Sequence, residues 1–467
     1  MSRKGPPTIV GGPFVGIAFA LSHPATPAAG PSLTPSVIRQ YMSSPNAFRS
    51  AVELGAPIIV QSHLRWDFVW QRPQQLLSRF AARHRVLFVE EPFFADDLST
   101  GRLELSEPTA NVHRVVPVLP AHLRDRYDEA ISQVRELLRV QLADGGALAG
   151  RFDRPIQWFY TPMPAPAMIG AFDERAVVYD CMDELSKFRF APTALVDRER
   201  LLLASADVVF TGGHRLSVSK ARHNDNVHFF GCGVDVDHFA QARTPELPVA
   251  EQVAAVGTRV MGYYGVIDER IDYELVARLA AAYPDDAVVM VGPVVKVDPR
   301  ELPHAANIHW LGQRRYDELP AHVKGFDVCL MPFALNESTE YINPTKTLEY
   351  MAAGKPIVST AVSDVKHHFV PIVAVGESHD EFIAAVGRAL EAQDEAMIER
   401  GLEEARRNTW ESVVAQMGRI MTEAVRARSR RGTRATRVAS ERSAGRDAAW
   451  IDRADARLIG ASEGTGD

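Results

Sequence analysis

Lys346 and Glu349 stand three positions apart in NPTKTLEYMAAGKPIVST, the segment from Asn343 to Thr360. On a helix that spacing puts both on one face, where a cation and a carboxylate can meet a single ligand. A nucleotide sugar has groups for both, a diphosphate for the cation and hydroxyls for the carboxylate. Pro344 suits a first helical turn, where its missing N–H has no intrahelical partner to lose, and the helix N-terminus adds positive partial charge suited to a phosphate. The same spacing also arises on an ordinary amphipathic helix of an α/β domain.

Other chemistry-bearing residues gather in further stretches. His63, Arg65, Asp67, Gln71 and Arg72 crowd the segment after the apolar run PIIVQ, with Trp66 and Trp70 among them. Indole rings there suit stacking on a sugar or lipid, and they suit a core equally well. Asp180 and Asp183 follow the apolar start of VVYDCMDEL, where a carboxylate can orient a hydroxyl or act as a base. Gly262 and Gly265 frame a turn after a strand pattern, and a lone GxxG is weak evidence for phosphate binding. Arg270 stands beyond that turn, either a second cation for a diphosphate or a surface arginine at a helix start. Asp235-Val-Asp237 has the spelling of an Asp-x-Asp metal motif, but it sits in GCGVDVDHF, read as an exposed connecting loop with both aspartates on one side. No metal is expected there.

These residues need elements to position them. Pro57 to Gln61 reads as a buried strand, Pro73 to Ala82 as a helix and Val86 to Glu90 as a second strand, which implies a right-handed parallel unit. Further strands are expected at 112–118, 156–160, 176–180 and 207–211, with helices at 125–143 and 192–205, making one doubly wound domain over residues 55–243. A linker at 244–251, rich in prolines and acids, precedes a second parallel-sheet domain over residues 252–408. Its strands are expected at 260–264, 287–292, 308–311, 328–332, 356–359 and 372–375, and its helices at 273–282, 316–324, 345–353 and 380–392. The expected class is therefore α/β: two Rossmann-like domains facing a cleft, with ligands at the carboxyl ends of the strands.

Composition bounds the rest. The 467 residues suffice for two domains and tails, and 46% hydrophobic content supports full cores. With 52 basic against 59 acidic residues and a net charge of −7, the chain lacks a nucleic-acid footprint. Its three cysteines, Cys181, Cys232 and Cys329, are too scattered for a disulfide framework or a zinc site, and a reducing cytoplasm fits them. No apolar run approaches the roughly 20 residues that span a bilayer. Residues 1–54 superficially resemble a signal peptide, but Gly11, Gly12 and Pro13 interrupt the apolar stretch, and a disordered leader is expected. From Arg426 to Arg437 there are six arginines and no acid, so residues 426–467 are expected to be a disordered tail, either merely solvated or drawn to anionic lipid.

The motifs WDFVWQRPQQLLSRFA (66–81), VVYDCMDELSKF (177–188), GCGVDVDHF (231–239), GYYGVIDERIDYELVARLA (262–280), IHWLGQRRYDELP (308–320), FDVCLMPF (326–333) and NPTKTLEYMAAGKPIVST follow in that order. Together, from about Pro57 to Arg426, they resemble GT-B fold glycosyltransferases of the retaining family 4 (group 1) type, and bacterial teichuronic-acid and cell-surface polysaccharide enzymes in particular. The resemblance implies a hexosyltransferase-class enzyme moving a sugar from a UDP- or GDP-sugar to a cell-surface glycan or lipid-linked acceptor. It further implies retention of configuration, no cofactor beyond the donor substrate, and a site at the cytoplasmic face of the cell envelope; the lack of carboxylates or histidines at ligand spacing implies no metal, and the clustered arginines of the tail would add a peripheral membrane contact. A last helix over 409–425 would return to the first domain.

Residue roles follow from the resemblance and the chemistry above. Lys346, Asp180 and Asp183 are the catalytic candidates. Glu349, at the position where the family holds the donor ribose, joins Asn343, Gly262, Gly265, Arg270 and Glu340 as donor-binding candidates. His63, Arg65, Trp66 and Arg72 are the acceptor-binding candidates. The chain departs from the family pattern in two places. The family's first glutamate, eight residues before Glu349, is replaced by Tyr341, leaving Glu340 one place out of register, and the family's Gly-Arg pair is Gly265-Val266. A nucleotide-sugar 2-epimerase and a non-catalytic nucleotide-sugar-binding paralogue are the alternative readings.

Overall fold

The computed structural model describes residues 55–188 and 190–431, so the expected leader over 1–54 and the tail beyond 431 lie outside the described residues. Apolar runs bounded by polar turns build the first sheet from β1 (Ile58–Ser62), β2 (Val86–Glu90), β3 (Phe93–Ala95), β4 (Arg102–Thr109), β5 (Val112–Pro120), β6 (Ile156–Phe159), β7 (Ala176–Cys181), β8 (Val208–Thr211) and β9 (Val227–Phe229). The order is β3-β5-β2-β1-β6-β7-β8-β9, and β4 folds back antiparallel on β5. Helices α1 (Arg72–Phe80), α2 (Tyr127–Leu142), α3 (Leu195–Ser205) and α4 (His214–Lys220) connect the strands. Every residue of β1, β2, β6, β7 and β8 is buried, as continuous apolar strands covered on both faces must be.

The second sheet holds β10 (Val260–Tyr264), β11 (Ala287–Val291), β12 (Ile308–Gly312), β13 (Val328–Met331), β14 (Ile357–Thr360) and β15 (Ala374–Gly376). Its order is β12-β11-β10-β13-β14-β15 and every pair is parallel. It is served by α5 (Tyr273–Ala282), α6 (Lys346–Ala352), α7 (His379–Glu391) and α8 (Glu395–Arg407). The expected helix over 316–324 is split into a 3-10 turn, Tyr316–Glu318, and a short α-helix, Leu319–Lys324, with Pro320 at the junction. Sequence reasoning missed β3, β4, β9, α4 and α8. The exposed β4 owes its strand form to pairing with β5, and α8 is dominated by charged residues around a narrow apolar face.

Two crossings join the domains, and they touch each other. The Val234 N–H donates to the Asn408 carbonyl at 2.9 Å, and Val234 bridges Thr409. A side chain at Gly233 would meet the Trp410 backbone at 2.8 Å, so the crossing demands a bare backbone there. The second crossing leads into α9, residues 410–431, which carries Trp410, Val413, Met417 and Met421 into the first domain's core beside Ile58 and Trp158. This corrects the expected boundary at 425. Residues 426–431 are helical, and Arg428 and Arg431 both donate to Asp207, so the first part of the arginine run is fixed to protein.

Arg72, at the start of α1, ties three loops together. It is 2% exposed and pairs with the fully buried Asp180 on β7 at 2.8 Å, while its Nη1 donates to the Phe230 carbonyl at 3.0 Å in the first crossing. Removing one partner would leave the other charge buried and unpaired. Arg72→Leu is expected to destabilise the chain by about 3–5 kcal/mol, measured by denaturant unfolding; a loss below about 1 kcal/mol would mean the pair does not hold these loops.

Candidate active site

A cavity of about 180 Å³ lies between the carboxyl ends of the two sheets. Trp70 and Gln71 before α1, Met182 and Asp183 after β7 and Gly212 after β8 line one side; Gly265 after β10, Gly292 after β11, Gln313 after β12 and Lys346 and Glu349 of α6 line the other. Parallel strands deliver all these loops to the same edge, which is why residues so distant in sequence converge. The domains also meet directly here: Gln313 donates to the Phe68 carbonyl at 2.8 Å and Gln75 to the Tyr316 hydroxyl at 3.0 Å.

Backbone geometry sets where Lys346 can lie. Gly265 has φ +146°, and a Cβ there would come 2.2 Å from Lys346 Cε and 2.7 Å from its Nζ. Gly292, at φ +149°, would place a Cβ 1.7 Å from the Gly265 carbonyl oxygen. The ends of β10 and β11 therefore come together only because Gly292 lacks a side chain, and Lys346 reaches this point because Gly265 lacks one too. The Lys346 side chain lies in the space Gly265 leaves, its ammonium 5.5 Å over the Tyr263 ring.

The charged groups of the cleft are desolvated. Burial pulls the Lys346 ammonium below the ordinary lysine range, with Glu349 acting in the opposite sense. Burial raises the Glu349 carboxyl, opposed by the hydrogen bond it accepts from the Tyr264 hydroxyl and by Lys346. Arg270 lines the same cavity, and its Nη2 donates to Asp268 at 2.8 Å. Burial works against that guanidinium's charge, yet Asp268 holds it well above the usual value. The Asp183 carboxyl is pushed up by burial and pulled down by Arg270. An anionic ligand entering would meet two cations in a low-dielectric setting, where electrostatic attraction is strongest.

The structure brings Lys346, Glu349, Arg270, Asp183, Gly265, Asn343 and Arg72 to the cavity wall. It separates others from it. Asp180 is fully buried in its pair with Arg72 and has no place as a base in the cleft, while Arg72 spends its donors on Asp180 and the crossing rather than on a ligand. Arg65 donates to Glu90 at 3.1 Å and covers Phe93, and Trp66, 5% exposed, packs its ring 5.2 Å from Phe88, so both serve the core beyond β2. Trp70, by contrast, faces the cavity. His63 is buried and off the wall.

Gly262 lies within β10, where the Phe326 ring fills the space of its missing side chain. Glu340 points to Arg215 at 2.7 Å and is absent from the wall, while Tyr341 packs against the first domain's core, so the register expected for a paired glutamate is not recovered by shifting one place. Asn343 acts as a clamp: its Nδ2 donates to Asp364 at 3.0 Å, and Asp364 also accepts from the His214 backbone at 3.0 Å across the domains. Asp235 caps the short helix Val236–Ala240 by accepting from the His238 N–H, so the aspartates do not lie in an extended loop. Tyr264, Gly292 and Tyr316 were missed; the signal for Tyr316 was the polar run QRRYDELP directly after a strand.

Gly265→Ala tests how the cleft is built. Adding a Cβ at this φ is expected to cost about 1–3 kcal/mol of stability, and it should also displace the Lys346 ammonium and lower the affinity for a nucleoside diphosphate. Calorimetric affinity equal to that of the unaltered chain would show that Gly265 does not set the lysine's position.

Comparison with known proteins agrees with this geometry. Residues 260–392 match the family described as Glycosyl transferases group 1. The chain is 25% identical over 290 residues to the candidate teichuronic acid biosynthesis glycosyltransferase TuaH of Bacillus subtilis (strain 168), covering 57% of this chain and 71% of that one. Sucrose-phosphate synthase from Thermosynechococcus elongatus superposes with a TM-score of 0.59 at 15% identity, over 80% of this chain and 100% of that one. An E. coli trehalose-6-phosphate protein bound with UDP-2-fluoro glucose superposes with a TM-score of 0.57 at 14% identity, over 79% of this chain and 99% of that one. The paired sheets, the cleft between them and the match over residues 260–392 make this chain a glycosyltransferase of GT-B fold that carries a group 1 glycosyltransferase domain.

Proposed function

We propose that the chain transfers a sugar from a UDP- or GDP-sugar to a cell-surface glycan or a lipid-linked acceptor, with retention of configuration and without a metal. The observation that carries this reading is the placement of Lys346 and Glu349 on one face of α6, both on the wall of the cleft between the domains. Glu349, steadied by the Tyr264 hydroxyl, accepts from the donor ribose hydroxyls. Lys346, with Arg270 beside the Gly265 turn, meets the diphosphate as it departs. The bond between the sugar's anomeric carbon and the phosphate oxygen breaks, a bond from that carbon to the acceptor oxygen forms, and the acceptor's proton passes to the departing phosphate. No strong protein base is then required. The E. coli neighbour's UDP-2-fluoro glucose supports a nucleotide-sugar donor, and the B. subtilis relative's name, teichuronic acid biosynthesis, supports a part in polysaccharide synthesis.

Glu349→Ala is expected to weaken nucleotide binding by about 2 kcal/mol, the scale of a charge-assisted hydrogen bond. Unchanged calorimetric affinity would sink the ribose role. Lys346→Met should instead lower turnover far more than acceptor binding, because the charge it meets develops during the reaction. An equal loss of both would return Lys346 to a structural part.

With radiolabelled donor and membrane extract, label should move to glycan or lipid, and it should do so equally in excess chelator. Label in a free epimer would point to an epimerase and label nowhere to a binding paralogue. Activity abolished by chelator alone would overturn metal independence.

A further inference from the structure

Arg72, Gln75 and Arg79 stand three and four positions apart on α1, so one face of the helix carries all three. Arg72 donates to the first crossing at the Phe230 carbonyl. Arg79 reaches both crossings: its Nη2 lies 3.6 Å from Asp235 beside the first, and its Nε donates to Glu411 of α9 at 2.6 Å. Gln75, 3% exposed, reaches beyond them to the hydroxyl of Tyr316. Tyr316 belongs to the second domain and lines the cavity, whereas Gln75 is absent from its wall.

Donor chemistry fixes the direction of each hydrogen bond in this line. A guanidinium only donates, and Arg79 Nη1 lies 2.7 Å from one end of the Gln75 amide, so that end is the oxygen. The other end is then the amide nitrogen, which donates to the Tyr316 hydroxyl oxygen at 3.0 Å. Having accepted there, the hydroxyl keeps its own proton to give, and none of the described residues accepts it. Burial, with Glu349 acting in the same sense, raises this phenol's pKa well above the usual value, so it stays a donor. The ring has little freedom to turn. His238 stacks on it at 4.3 Å with the planes 10° apart and donates from Nε2 to the Tyr316 carbonyl at 3.0 Å.

On the wall and without a protein acceptor, the hydroxyl has the cavity to donate into. The phosphate, ribose and base carbonyl oxygens of a nucleotide all accept hydrogen bonds. Glu349 is a charge neighbour of the same hydroxyl, which puts Tyr316 near the carboxylate assigned to the ribose. A first-domain side chain thereby sets the polarity of a donor on the second domain's wall. Binding in the second domain and contact between the domains then become linked.

We propose that Gln75, oriented by Arg79, is a positioning residue for the donor substrate: it holds the Tyr316 hydroxyl with its proton aimed into the cavity, where that proton is given to an oxygen of the nucleotide. This rests on the glycosyl-transfer reading above. The test measures calorimetric affinity for UDP and GDP, and the melting temperature, of the full chain and of Tyr316→Phe, Gln75→Glu and the double variant. Tyr316→Phe should weaken whichever nucleotide binds by about fivefold, the scale of one hydrogen bond. Gln75→Glu keeps contact with both Arg79 and Tyr316, but a carboxylate only accepts, so the hydroxyl must turn its proton toward position 75. The melting temperature should hold while nucleotide affinity falls as far as in Tyr316→Phe. Added to Tyr316→Phe, Gln75→Glu should cost less than about twofold more, which separates loss of the aimed proton from repulsion between the new charge and the phosphates. Unchanged affinity in Tyr316→Phe, full affinity in Gln75→Glu, or an undiminished further loss in the double variant would each overturn the inference and leave the functional reading standing. Failure of the unaltered chain to bind either nucleotide would overturn the functional reading itself.

Discussion

The buried pair between Arg72 and Asp180 is the constraint on which the arrangement of the cleft depends. One guanidinium reaches the end of β7 through Asp180 and the first domain crossing through the Phe230 carbonyl, all from the start of α1. Burying two charges is expensive, and only tight geometry with every donor used offsets it. Here the result is positional. The loop before α1 brings Trp70 and Gln71 to the cavity, the loop after β7 brings Asp183, and the crossing decides where the second domain sits. Remove that pair and three separate loops lose their common reference.

On the opposite side, the second domain uses missing atoms in the way the first uses charge. Gly292 lets its strand end approach the Gly265 backbone until there is no room for a Cβ, and at Gly265 the Lys346 side chain takes the space a Cβ would need. The lysine is thereby desolvated, which weakens its hold on a proton but strengthens its attraction to any phosphate that enters. Glu349, one helical turn on, is fixed by Tyr264 from β10. A cation and a carboxylate with separate tasks are thus held by separate means, packing for one and a hydrogen bond for the other.

The domain contacts around this cleft mix polar links, Gln313 to Phe68, Gln75 to Tyr316, Glu340 to Arg215 and the Asn343–Asp364–His214 clamp, with ring contacts such as Trp70 on Tyr316 and Phe229 on His368. Continuous apolar packing joins the domains through α9, which buries Trp410 and its neighbours in the first core. Such a division suits an enzyme that must admit a donor and an acceptor from outside. The continuous helix keeps the domains together, while the polar contacts at the mouth exchange readily with water.

Much of this was legible in the sequence because it rests on local patterns. Apolar runs with turn residues between them gave the parallel strands, and seven motifs in fixed order gave the GT-B resemblance. The Lys346 and Glu349 spacing reads directly as one helix face, since helical geometry is a property of the nearby chain. What the sequence could not decide was which polar residues near a strand end face the cleft and which are consumed by another part of the fold. Asp180 and Asp183 are three residues apart, yet one is locked to Arg72 and the other lines the cavity. Trp66 and Trp70 divide in the same way, one into the core beside Phe88 and one toward the cavity. Strand β4, helix α8 and the extension of α9 to residue 431 likewise draw on distant partners, β5 and Asp207 among them. Local spacing fixes the element and the face of a residue; only the packing of whole domains supplies the partner that buries it, pairs it or leaves it open to a ligand.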